Sequence, residues 1–140
     1  MLKRNGVLLT IFCLSILLST CSKSTNSEKR TSPPESTYKS GILTFTNQSG
    51  LSEVVIDSYR HYRGTENKFQ RLNKWVPNQS SYTLKNLFDG SQQPFKGGDI
   101  VSVSFHCQWP GGYYKGHTVE VLIDGSKSIV AVEDCRYIVG

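Results

Sequence analysis

Outside its apolar start, the reactive side chains of this sequence reduce to His61, His106, His117, Cys107 and Cys135. His106 directly precedes Cys107, and an imidazole beside a thiol suggests a thiolate nucleophile. In a strand, however, neighbouring residues project to opposite faces, so the sheet itself would separate the two. His106 and His117 fall at matching depths of two strand-like segments. If both face outward, they could meet across the strands and hold a transition metal with Glu120 or Asp57. Two ligands do not close such a site. There is no HExxH, G-x-S-x-G, P-loop or dinucleotide fingerprint. Paired glycosidase carboxylates, which stand about 5 to 9.5 Å apart, are not singled out by any spacing. The expectation is no catalytic residue, no metal and no cofactor.

Binding chemistry is better represented. Trp109-Pro110-Gly111-Gly112-Tyr113-Tyr114-Lys115 puts three aromatics and a cation at a glycine-rich turn. Trp109, Tyr113, Tyr114 and Lys115 could stack on a sugar ring or enter a partner groove, or Trp109 and one tyrosine could cover an open end of the core. A second candidate is the basic run 60–74. It contains Arg60, His61, Arg63, Lys68, Arg71 and Lys74 against one acid, Glu66. Arg60, Arg63, Arg71 and Lys74 are the expected anionic contact, with a solvated strand face as the alternative. The whole-chain charge of +5 does not extend this argument. From Gly41 onward there are ten basic residues and nine acidic ones, too even a balance for a nucleic-acid partner.

These residues must be positioned by strands, because the pattern from 41 to 140 is period-two alternation with frequent turn signals and no long helical stripe. Residues 42–46 alternate Leu43 and Phe45 with threonines. Residues 53–62 place Val54, Ile56 and Ser58 on one face, with Val55, Asp57 and Tyr59 on the other. The middle is less regular: 69–76 reads as a short strand or an irregular cover carrying Trp75, and 81–88 as a strand. In 99–109, Val101, Val103, Phe105, Cys107 and Trp109 share a face, and 117–124 aligns Val119, Val121 and Ile123. A last strand over 127–139 would complete an antiparallel meander, with a bulge near Glu133-Asp134 to bring Cys135 inward. About one hundred residues make one core. Six or seven strands predict a single antiparallel β-sandwich, immunoglobulin-like or transthyretin-like in shape, with a small barrel as the alternative.

The first twenty residues have a different character. Lys3 and Arg4 precede an apolar run over 7–18, which is shorter than the roughly twenty residues a helix needs to span a hydrocarbon core. Leu18-Ser19-Thr20-Cys21 follows. This segment resembles a bacterial prolipoprotein signal peptide, whose lipobox has an aliphatic residue three places before an obligatory cysteine. Leu18, Ser19 and Cys21 match, whereas Thr20 stands where the family usually has Gly, Ala or Ser. The resemblance implies removal of 1–20, acylation of Cys21 and attachment to the membrane through the lipid. Ser22 after the cysteine, in place of Asp, implies outer-membrane sorting in a Gram-negative cell. Residues 21–40, rich in Ser, Thr, Lys and Glu and containing Pro33-Pro34, read as a flexible tether to the domain at 41–140.

Export also bears on the cysteines. Cys13 lies in the segment to be removed and Cys21 at the lipobox, which leaves Cys107 and Cys135. In an oxidising compartment and without CxxC spacing, the expected state is a Cys107–Cys135 disulfide, with two buried thiols as the alternative. The functional expectation is a lipid-anchored, non-enzymatic envelope module that binds or assembles with a protein or glycan. The runner-up is a periplasmic enzyme inhibitor or immunity-type lipoprotein.

Overall fold

A computed structural model describes residues 37–140; the signal-like segment, Cys21 and the tether as far as residue 36 lie outside the described residues. Eight strands form two four-stranded sheets. The first has the order β4 (Ser80–Thr83), β1 (Leu43–Asn47), β7 (Lys127–Val132), β8 (Arg136–Val139). The second has the order β3 (Glu66–Val76), β2 (Glu53–Arg63), β5 (Ile100–Gln108), β6 (Tyr114–Leu122). Alternation produces each inward face. β1 buries Leu43 and Phe45 between outward threonines, and β5 buries Val101, Val103, Phe105 and Cys107. β6 adds Val119 and Val121.

The two inner faces share one apolar cluster, in which Phe45 of the first sheet meets Phe105 of the second edge to face at 4.8 Å. The molecule is therefore a β-sandwich. Both sheets remain open, at β4 and β8 and at β3 and β6, so the barrel alternative does not hold.

The path of the chain departs from an antiparallel meander. β5 and β6 form the expected hairpin, but β7 crosses to the other sheet and runs parallel to β1, pairing Leu43 with Lys127 and Asn47 with Ala131. The stretch 127–139 is two strands. A reversal at Glu133–Cys135 folds β8 back antiparallel on β7. Asp134 and Cys135 occupy the left-handed region, at φ 58° and 52°. Such a conformation costs about 1 to 3 kcal/mol per residue and persists where contacts enforce it. Here β6 supplies them: His117 Nε2–H donates to the Cys135 carbonyl at 2.6 Å, and Lys115 Nζ to that of Asp134 at 3.3 Å. The reversal does the work expected of a bulge. It turns Cys135 inward to bond Cys107 of the opposite sheet.

A bulge does occur, but in β2. Ile56 pairs with Phe105 and Ser58 with Ser104, so Asp57 is an extra residue with no counterpart on β5. An inserted residue exchanges the faces of everything after it. Val54 and Ile56 point inward as their spacing predicts; beyond Asp57 it is Tyr59 and His61 that are buried, not Ser58. The Tyr59 hydroxyl donates to the Lys85 carbonyl at 2.8 Å, and burial pushes its pKa up to about 12.

The stretch 69–76 is no irregular cover. It is the second half of β3, an edge strand joined to β2 by a turn in which Gly64 takes φ 57°. Between β1 and β2 the chain is fastened by Asn47, which is fully buried. Its Nδ2 donates to the carbonyls of Leu51 and Val76, both at 2.9 Å, while its Oδ1 accepts from the Ser49 backbone and hydroxyl.

Candidate functional site

The β5–β6 hairpin end is built by its glycines. Gly111 and Gly112 adopt φ of 100° and 87°, conformations that a side chain would strain. The Trp109 N–H donates to the Tyr113 carbonyl at 2.8 Å, and the Gly112 N–H to that of Trp109 at 3.2 Å. This tight closure sets the Trp109 and Tyr113 rings 5.2 Å apart at a tilt of 50°. Lys115 stands opposite Cys107 in the β5–β6 register and reaches toward the Glu133–Cys135 reversal. Trp109, Tyr113, Lys115 and Asp134 together line an open hollow of about 330 Å³ at the end of the sandwich, beside the disulfide. Trp109 packs partly against the core, while Tyr113 is 66% exposed. Trp109 thus takes the covering position, and Tyr113 is left exposed.

Tyr114 does not belong to this group. It lies next in the chain to Tyr113, and strand alternation places it with Gln108 on the outer face, where it is 69% exposed and its ring is 6.1 Å from that of His106. The histidines are separated in the same way. His106 is on the outer face, with Nδ1 2.8 Å from Asp57 Oδ1. His117 is on the inner face against Phe105 and Tyr137, so no pair of outward histidines forms. Among the described residues, no three His, Cys, Asp or Glu side chains gather to hold a metal ion.

The four expected anionic contacts are also divided. Arg60 and Arg71 lie on the outer face of β2 and β3. Lys74 sits in register with inward Ile56 and places its ammonium 5.5 Å from the centre of the Tyr82 ring. Arg63 is consumed inside the protein. It makes a two-pronged contact with Asp89, at 2.8 and 2.7 Å, and reaches both oxygens of Asp99 at 3.0 and 2.9 Å.

Asp99 in turn accepts from His61 Nε2–H at 2.7 Å and from the Lys96 backbone at 3.0 Å. The Leu87 N–H donates to His61 Nδ1 at 3.3 Å, which fixes the neutral Nε2–H tautomer. The His61 ring is clasped edge to face by Phe88 and Phe95. Burial lowers the His61 pKa and outweighs the pull of Asp99 in the other direction. Burial alone would raise Asp99, but the hydrogen bonds from Arg63 and His61 together hold it below the ordinary carboxylate range. Arg63, assisted by Asn86, likewise keeps Asp89 ionised.

This network ties the end of β2 to the start of β5, with both ring nitrogens of His61 satisfied. Sequence reasoning placed His61 and Arg63 in a surface cluster. Their i, i+2 spacing at a strand end, opposite Asp99 before the next strand, was the available signal that they share a partner.

The described residues therefore define a disulfide-stapled β-sandwich whose hairpin end carries an aromatic hollow flanked by one cation and one carboxylate. No protein family, curated protein or solved structure matches this chain.

Proposed function

We propose that this chain is a lipid-anchored protein of the bacterial envelope whose β-sandwich binds a protein or glycan partner without catalysing a reaction. The observation that carries the reading is the hollow formed by Trp109, Tyr113, Lys115 and Asp134. A tilted aromatic pair supplies apolar contact area at low entropic cost, while the lysine and the carboxylate orient a polar ligand. Both walls rest on a rigid support, since the disulfide joins the hairpin strand β5 to the reversal that bears Asp134.

Acyl chains on Cys21 would fix the protein to a membrane, the outer one in a Gram-negative cell, and the segment 22–40 would set its reach. Confinement at a surface raises effective concentration, so a contact of modest affinity suffices.

Two measurements test the reading. Metabolic labelling with an alkyne-bearing palmitate should mark the chain and leave Cys21→Ala unmarked; absence of label on the parent chain overturns the anchor. A photo-crosslinking residue at position 113 should give one discrete adduct in cells, and Lys115→Ala should diminish it. If position 113 yields no adduct, or an adduct indifferent to Lys115, the hollow is not the binding surface.

A further inference from the structure

The outer face of the second sheet carries a further feature, independent of the hollow. On the edge strand β3, Phe69, Arg71 and Trp75 are all exposed, the two aromatics at 58% and 60%. Arg71 is in register with Ser58, and Phe69 with Arg60, whose guanidinium lies 5.4 Å from the centre of the Phe69 ring. In the neighbouring register, Ser58 pairs with Ser104 of β5, and the Ser104 and Thr118 hydroxyls lie 3.0 Å apart.

The result is a strip with an aromatic at each end, two arginines near one of them, an irregularity at Asn73 between them, and a floor of hydroxyls beside it. Through the register, Phe69 and Trp75 align with Ser102 and His106 of the regular strand β5, four residue steps or about 13 Å apart, which is the length of a short oligosaccharide.

We propose that this strip binds an acidic polysaccharide, with Phe69 and Trp75 stacking on sugar rings and Arg60 and Arg71 pairing with the carboxylate or phosphate groups between them. Three observations favour this occupant. The charged side chains in register along the strip are Arg71 and Arg60, both cations, whereas Lys68 and Lys74 pair with the inward His61 and Ile56. Arg71 has no ion-pair partner among the described residues, and the nearest outward carboxylate on β2, Asp57, is occupied by His106. The surface beside the strip at Ser58, Ser104 and Thr118 is hydroxyl-bearing, which suits sugar hydroxyls. Aromatic faces are sequence-tolerant stacking platforms, and the arginines supply the selection for charge.

Affinity electrophoresis of the whole chain through gels cast with alginate, a linear polyuronate, tests this directly, with dextran as the neutral polymer. Retardation by alginate alone is expected, weakening as salt is added. F69T/W75T, which keeps strand-forming side chains, and R60Q/R71Q should each weaken alginate retention about tenfold. Y113A, in the hollow, should leave it unchanged, so that failure of the strip and failure of the hollow are read separately. Because R60Q/R71Q alters two exposed side chains and no core contact, it decides the matter should F69T/W75T not fold. The proposal is overturned if alginate does not retard the chain, if dextran retards it equally, or if R60Q/R71Q binds alginate like the parent. It is also overturned if the strip variants instead lose flotation with phosphatidylglycerol vesicles, which would make the face a lipid contact.

Discussion

Asp57 holds His106 by Nδ1 at 2.8 Å from the single position at which β2 has a residue more than β5. The bulge and the contact are one device: the extra residue is turned outward, away from the core, and its carboxylate is received by the neighbouring strand. Its consequences lie further along, because the bulge absorbs the extra residue and so keeps Tyr59 and His61 inward.

Deleting Asp57 and replacing it should therefore both leave the core faces of β2 as they are. Asp57→Asn keeps the bulge and loses only a partly exposed contact, so denaturant midpoints should correspond to a loss of about 1 kcal/mol or less. Removal of the residue closes the bulge and leaves Ser58 opposite Ser104 and Tyr59 opposite Val103, with Tyr59 and His61 still inward. A cooperative unfolding transition is expected for the deletion as well, and its loss would refute this account of the register.

Acid should weaken the fold in two stages. His61 has its pKa lowered from the usual 6.5, so the folded protein resists a proton that the unfolded chain accepts. Stability from this source is complete above about 6.5 and declines as the pH falls below it. Asp99 is lowered from 3.8, and its contribution persists until the pH falls through that value. His61→Gln can still donate toward Asp99 but takes up no proton. Chemical denaturation followed from neutral pH to about pH 3 should show both stages in the parent and only the lower stage in the variant.

Reduction of the disulfide should cost more than a surface change would. The linked cysteines are 28 residues apart, and closing such a loop restricts the unfolded chain by about 3.5 kcal/mol. Cys107→Ala/Cys135→Ala should lower the midpoint by a corresponding amount. Amide exchange should also quicken in Glu133–Cys135, since that reversal loses one of the ties holding its left-handed residues.

Asn47 offers a separate test of a buried polar group. Asn47→Ala removes the donor to Leu51 and Val76 and leaves both carbonyls without it in a closed site, at a cost of about 2 to 3 kcal/mol. Asn47→Asp should cost at least as much, because it sets a carboxylate against those two carbonyls. Thermal unfolding of the two variants decides this; a change within measurement error for Asn47→Ala would show that water replaces the amide.

What the sequence disclosed depended on whether a feature was local. Alternation placed Leu43, Phe45, Val101, Val103, Phe105, Val119 and Val121 on inward faces, and with the cysteine pair it indicated a sandwich core. It misdirected wherever strict period two was interrupted. Asp57 carries no mark of an inserted residue, and the reversal at Asp134 and Cys135 lacks the glycine that usually signals positive φ. The burial of His61 and the pairing of Arg63 depend on Asp99 and Asp89, which arrive later in the chain, so a window of fifteen residues showed only a basic cluster. In the aromatic loop the composition was informative but the direction was not. Tyr113 and Tyr114 are adjacent letters on opposite sides of a sheet.

The parallel pairing of β1 with β7 has a consequence in time as well as in space. β1 is the first strand of the folded region, yet it is an interior strand of its sheet, flanked by β4 on one side and β7 on the other. A chain emerging amino end first, from a ribosome or a translocation pore, presents β1 long before residues 127–132 exist to pair with it. Loops this long close slowly, and the contacts that reward closure come last. Until then β1 has an unoccupied edge and an exposed apolar face, so the newly emerged polypeptide stays threadable until its carboxyl end arrives to lock the first sheet.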